Sequence, residues 1–141
     1  MMKKRTEELM QMLSTAGTLE TYWAENRDEL LDVSLGTYLH QLLQQYSVMK
    51  NEVINRSGLN QIYGYQIFAG TKQPSRDKLI ALIFAFPLTL EDAQRLLRVG
   101  GVSELYPRIK RDSIILFGLR EKLSVQELDD LLFEMGENTV L

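Results

Sequence analysis

Residues 50–78, KNEVINRSGLNQIYGYQIFAGTKQPSRDK, decide how this chain is read. Apolar positions recur at three- and four-residue intervals, broken twice by short polar runs. The pattern predicts two short helices, about Lys50 to Arg56 and Asn60 to Phe68 or Ala69, then a third starting at Arg76. Ser57-Gly58-Leu59 forms the first break, where Gly58 supplies the positive φ that reverses one helix onto the next. Asn60 is placed to cap the second helix, and Ser75 the third, after the loop Gly70-Thr71-Lys72-Gln73-Pro74-Ser75. Leu59 and Ile67 are expected on the inner face of the second helix. Its outer face then presents Gln61, Ile62, Tyr65 and Gln66, since 61 and 65, and 62 and 66, are one turn apart.

The same helical period extends outward in both directions and alternating β-branched runs are absent, so the protein reads as all-α. Upstream, a helix is expected from about Lys3 to Ser14, ended by Gly17 as a C′ residue. Thr18 caps the next, whose stripe Leu19, Trp23, Leu30 and Leu31 makes Trp23 a docking anchor on the core. A third helix runs from Leu35 or Gly36 to Tyr46. Downstream, Pro87 stops the apolar helix Arg76 to Phe86, and Thr89 with Asp92 gives a capping-box-like start to Leu90–Val99, closed by Gly100-Gly101. Two last helices are expected at about Pro107 to Lys122, with Pro107 at the first position, and Val125 to Met135, opened by a Ser124/Glu127 capping box. In the latter Val125, Leu128, Leu132 and Met135 face inward.

The chain has 141 residues, 45% hydrophobic and 25% charged, enough for one domain with a core and appended pieces. The expected division is 1–33 as an N-terminal extension, 34–99 as the core and 100–141 as a C-terminal extension. The net charge of −3 hides an asymmetry: residues 34–99 carry 7 basic and 4 acidic side chains, while both flanks are net acidic. A basic centre between acidic ends fits a nucleic-acid-contacting core. Without cysteine there is no thiolate metal site, and a single histidine, His40, on a leucine-rich helix leaves no metal or acid–base constellation. No phosphate-cradling glycine loop is present either, so neither catalysis, metal nor cofactor is expected. The longest uncharged apolar stretch, Leu79 to Leu90, falls short of the roughly 20 residues a membrane span needs. Glu7 and Glu8 stand where a signal peptide would place its apolar segment, so a cytoplasmic location is expected.

From about Leu39 to Leu97 the chain resembles the helix-turn-helix domain of the Xre and phage-repressor family, a group of bacterial DNA-binding regulators. The resemblance rests on Leu42 and Leu43, Val53 and Ile54, Gly58-Leu59-Asn60, Ile67, the Gly70–Ser75 loop and Leu79 to Ala85. It implies a repressor-like core of about five short helices with additional terminal helices. It also implies a regulator that occupies an operator in double-stranded DNA through the helix after Gly58. Gln61 and Gln66 fall on positions that often read bases in that family, and Ile62 and Tyr65 share their face. Glutamine can bond adenine bidentately and an apolar group can meet a thymine methyl. Lys50, Asn60, Lys72 and Arg76 lie where phosphates would pass. A dimer is the usual way to place two such helices on DNA, and the acidic terminal helices are candidates for dimerisation or for a protein partner.

Five positions depart from the family pattern, the first being Met49, which stands where the family usually has Ser or Thr. Lys50 replaces a glutamine, Phe68 replaces an acid, and a small residue and a branched one are exchanged at Ile54 and Gly64. The exchange conserves volume if Ile54 fills the space above Gly64. Between Ser57 and Gly70 there is no Lys or Arg. With Tyr63, Tyr65 and Phe68 nearby, the same surface would also suit a protein partner, making a non-catalytic interaction adaptor the alternative function.

Overall fold

A computed structural model describes residues 4–26 and 33–141. The chain is all-helical, with no strand among the described residues. It divides into two compact units at Val33/Ser34.

In the first unit α1 (Thr6–Thr15) and α2 (Leu19–Glu25) are short, and neither contains a buried residue. Helix α1 starts after Arg5 rather than at Lys3, and it ends in extended backbone at Ala16; Gly17 is not among the positive-φ glycines. Thr18 caps α2 by accepting from the Thr21 N–H. Trp23 is 48% exposed, so it is not the buried anchor expected of it, and Leu30 and Leu31 lie outside the described residues.

The second unit is organised around α6 (Arg76–Ala85). Leu79, Ile80, Ala81, Leu82 and Ile83 are all fully buried, as in a helix that is apolar all round and therefore covered all round. Against it lie α4 (Lys50–Ser57), α7 (Leu90–Val99) and α9 (Val125–Glu134), while α3 (Leu35–Gln45) packs on α5 (Gln61–Ala69) and α7. Each element adds its apolar face to one core: Leu39 and Leu42, Val53 and Ile54, Ile67 and Phe68, Ala93, Leu96 and Leu97, and Leu128 and Leu132. Helix α8 (Lys110–Arg120) contributes Ile115. The segment after residue 99 thus belongs to the same compact unit as residues 34–99.

Local chemistry sets the ends. Ser34, Asn60, Ser75, Thr89 and Ser124 each accept a backbone N–H of the following first turn, and Ser124 with Glu127 closes a complete capping box. The reciprocal arm expected at Thr89 is missing. The Asp92 carboxylate instead accepts from the Tyr46 hydroxyl and Gln45, and the Thr89 N–H donates to Tyr46 Oη. Pro107 does not open α8, which starts three residues later. Asp112 draws the Tyr106 N–H onto its carboxylate and so holds residues 106–109 in a turn ahead of the helix. Met135 follows the end of α9 and is 49% exposed, so only Val125, Leu128 and Leu132 of the expected four face inward.

Two Arg-Asp pairs clasp α6 to α8. Arg76 grips Asp112 with two bonds of 2.8 and 3.0 Å, while Arg111 reaches back to Asp77 at 2.9 Å. Arg76 also donates to the carbonyls of Ser103 and Glu104, and Arg111 to those of Asn138 and Thr139. The clasp fixes the helix that follows the Gly70–Ser75 loop and the last segment of the chain in a single joint.

Candidate nucleic-acid interface

Helix α5 is presented by α4 and the turn between them. Gly58 takes φ +73° and ends α4, and the fully buried Ser57 hydroxyl braces the reversal by donating to the Ile54 carbonyl and accepting from the Leu59 N–H. Asn60 Oδ1 then caps α5 through the Tyr63 N–H at 3.1 Å. The inner face of α5 is closed by Ile67 and Phe68, with Leu59 only partly covered. Fully buried Ile54 lies directly over Gly64, as the exchange of residue sizes predicts. Gly64 is thus the close-approach point that lets α5 settle on α4.

The opposite face is open. Ile62 is 71% and Tyr65 44% exposed, Gln61 is exposed and Gln66 partly so. These four sequence-predicted residues are brought together on one edge that no other helix of the unit covers. Gln61 is not free-swinging: its Nε2 donates to Asn55 Oδ1 at 2.7 Å across the turn. Asn55 is therefore a positioning residue that sequence reasoning did not single out, and only its place one turn before Gly58 could have marked it.

Charge around this edge is sorted by partner. Helix α5 carries no ionisable acid or base apart from its tyrosines. Arg56 pairs with Glu52, and Arg76, expected to meet phosphate, has its guanidinium engaged by Asp112 and two carbonyls. Arg76 is a structural residue because the buried Asp112 carboxylate needs a counter-charge. Burial would raise the Asp112 pKa, but bonds from Arg76 and the Tyr106 N–H, together with the charges of Arg76 and Arg111, hold it below the usual carboxylate value. Arg108, Lys110 and Arg111 form no anion patch, since Arg111 is committed to Asp77 and the 138–139 carbonyls.

Three lysines remain around α5 without a carboxylate partner among the described residues. Lys50 stands 5.8 Å over the Phe68 ring, Lys78 stands 4.4 Å over Tyr63, and Lys72 is exposed in the loop after α5. The ring contacts hold two of these ammonium groups beside the helix rather than leaving them to sweep the solvent. Lys78, which the sequence leaves equally a phosphate contact or a surface solubiliser, joins Lys50 and Lys72 beside the helix. Phe68, expected to lend aromatic character to the surface, is 2% exposed and stacks edge-on with His40, so the aromatic content of the edge comes from its tyrosines.

No helix among the described residues is long and apolar enough to cross a membrane. Comparison with family models, with curated proteins and with solved structures finds no match to this chain.

Proposed function

We propose that the chain is a sequence-specific DNA-binding regulator of the repressor type. In this reading α4, the Gly58 turn and α5 act as a helix-turn-helix and α5 enters the major groove. The observation that carries it is the open, uncharged face of Gln61, Ile62, Tyr65 and Gln66 framed by Lys50, Lys72 and Lys78. Glutamine amides and an apolar tip suit adenine and thymine edges, while lysines at the margins suit the flanking phosphates. The N-terminal amides of α5, apart from that of Tyr63, which Asn60 takes as its cap, lie on that margin. Regulation acts by occupancy of an operator, without catalysis, metal or cofactor.

Selection of bound duplexes from a random pool, followed by titration at several salt concentrations, tests this. A defined site, with affinity falling on Gln61→Ala and Gln66→Ala, is expected. Recovery of no preferred sequence defeats the proposal. The adaptor reading draws on the exposure of Ile62 and Tyr65 on a helix with no cation of its own. Its mark would be retention of a protein ligand that Ile62→Ala releases, with no DNA preference.

A further inference from the structure

Where the end of α6 meets the joint between α8 and α9, the fold leaves a hollow of about 430 Å³, within the size range of small-ligand pockets. Phe84, Phe86 and Leu88 line it from the last turn of α6 and the segment beyond, and Leu119 and Leu123 from the joint. Gly118, in the body of α8, sets its shape. A methyl built there falls 3.2 Å from Phe84 Cε2 and 3.2 Å from Leu128 Cδ1, so the missing side chain lets the Phe84 ring lie against α8 as a wall.

Charge around the hollow is unevenly committed. Arg56 is shared with Glu52 at 3.6 Å, and the Glu127 carboxylate accepts the Ser124 N–H at 2.9 Å within its capping box. The Lys122 ammonium lines the same hollow with no partner among the described residues. Lys122 also holds a costly backbone position. It follows the C-cap of α8 at φ +55°, and the Leu123 N–H closes the helix end on the Gly118 carbonyl at 3.0 Å. Glycine is the ordinary occupant of that place, since a Cβ is strained there. The turn therefore gives no reason for a long cationic side chain, whereas an anion seated in the hollow does.

We infer that this hollow binds a small organic carboxylate, its aromatic or short alkyl body against Phe84, Phe86 and Leu119 and its carboxylate on Lys122. The apolar walls favour a hydrocarbon body over an inorganic anion, and the uncommitted ammonium favours an acid over a neutral or cationic ligand. Binding there does not involve α5 and requires no DNA.

Titration of the full chain with phenylbutyrate, followed by backbone amide NMR, tests this, with phenylbutanol and phenylbutylamine as the neutral and cationic counterparts. Saturable shifts centred on residues 84–88 and 118–127 are expected. The alcohol should bind at least about tenfold more weakly than the acid, and the amine more weakly still. Lys122→Gln should weaken the acid to the level of the alcohol and leave the alcohol unchanged. Lys122→Gly should do the same while raising thermal stability, because glycine relieves the left-handed turn. A lysine with only a structural role would not move binding and stability in opposite directions. Leu119→Trp, which fills the hollow, should abolish binding of acid and alcohol alike. Absence of saturable shifts, shifts only elsewhere, an alcohol that binds as tightly as the acid, or a Lys122→Gln chain that binds like the parent would each overturn the inference. Lys122 is exposed, so its variants decide the matter even if Leu119→Trp fails to fold.

Discussion

Ile54 occupies the space that a side chain at Gly64 would need: a methyl built there falls 2.7 Å from Ile54 Cγ2 and 3.2 Å from Cγ1. The two residues interlock α4 and α5, and through α5 they set the height of the face proposed to read DNA.

Gly64→Ala should therefore destabilise the protein, although alanine is worth about 1 kcal/mol in helix propensity over glycine, because overpacking costs about 1–3 kcal/mol. Ile54→Ala should cost about 3 kcal/mol by emptying a fully buried site. Together the two changes should cost less than their sum by about 1 kcal/mol or more. Urea denaturation of the four proteins measures the coupling, and strict additivity would show that the contact is not made.

The two halves of the clasp should differ in strength. Asp112, whose side chain is 2% exposed, leaves an uncompensated guanidinium when removed, so Asp112→Ala should cost about 3 kcal/mol. Asp77 is 40% exposed, and Asp77→Ala should cost no more than about 1 kcal/mol. Because the folded state holds the Asp112 pKa down, its stabilising contribution is complete above about pH 4 and disappears as pH falls through the lowered folded value. Denaturation midpoints between about pH 5 and 2 should fall more steeply for the parent than for Asp112→Asn.

Tyr38 behaves in the opposite sense. Burial first, and then the Asp92 carboxylate, push its hydroxyl up to about 12, against the lowering pull of Arg95 over its ring. The neutral phenol stabilises the fold below about pH 10, and this contribution is lost as pH rises toward about 12. Its buried hydroxyl has no hydrogen-bond partner among the described residues. Tyr38→Phe should accordingly leave neutral-pH stability unchanged or raise it by about 1 kcal/mol, and should flatten the alkaline arm of the pH–stability curve.

If α5 seats in the groove, the logarithm of DNA affinity against log salt should have a slope of about −3 per protomer from Lys50, Lys72 and Lys78. Lys72→Ala should reduce that slope by about 1 without altering the preferred sequence. Arg76→Ala should lower thermal stability and leave the slope of the remaining folded protein unchanged. A reduced slope would return Arg76 to the phosphate-contacting set.

The helices were legible where local chemistry decides them. Gly58, Asn60, Ser75 and the Ser124/Glu127 box all act within four residues of themselves, and all are found as read. The Ile54–Gly64 contact was legible because two size anomalies compensate across one turn. Two of the misreadings arose where a distant residue claimed a group. Asp92 was taken by Tyr46, 46 positions away, and Arg76 by Asp112, 36 away. Period and capping rules carry no information at such separations. Lys78 could not be told from a surface solubiliser for a similar reason, since its place over Tyr63 depends on how α6 lies against α5.

The crossed Arg-Asp joint also leaves a mark that can be searched for. The dipeptide at 76–77 opens the helix after a Gln-Pro-Ser loop, and its twin at 111–112 opens a later helix after a proline. Neither half has a counter-ion without the other. Distant kin that preserve this docking should inherit both dipeptides or lose both, a fingerprint by which ancestry could be traced after the remaining sequence has drifted.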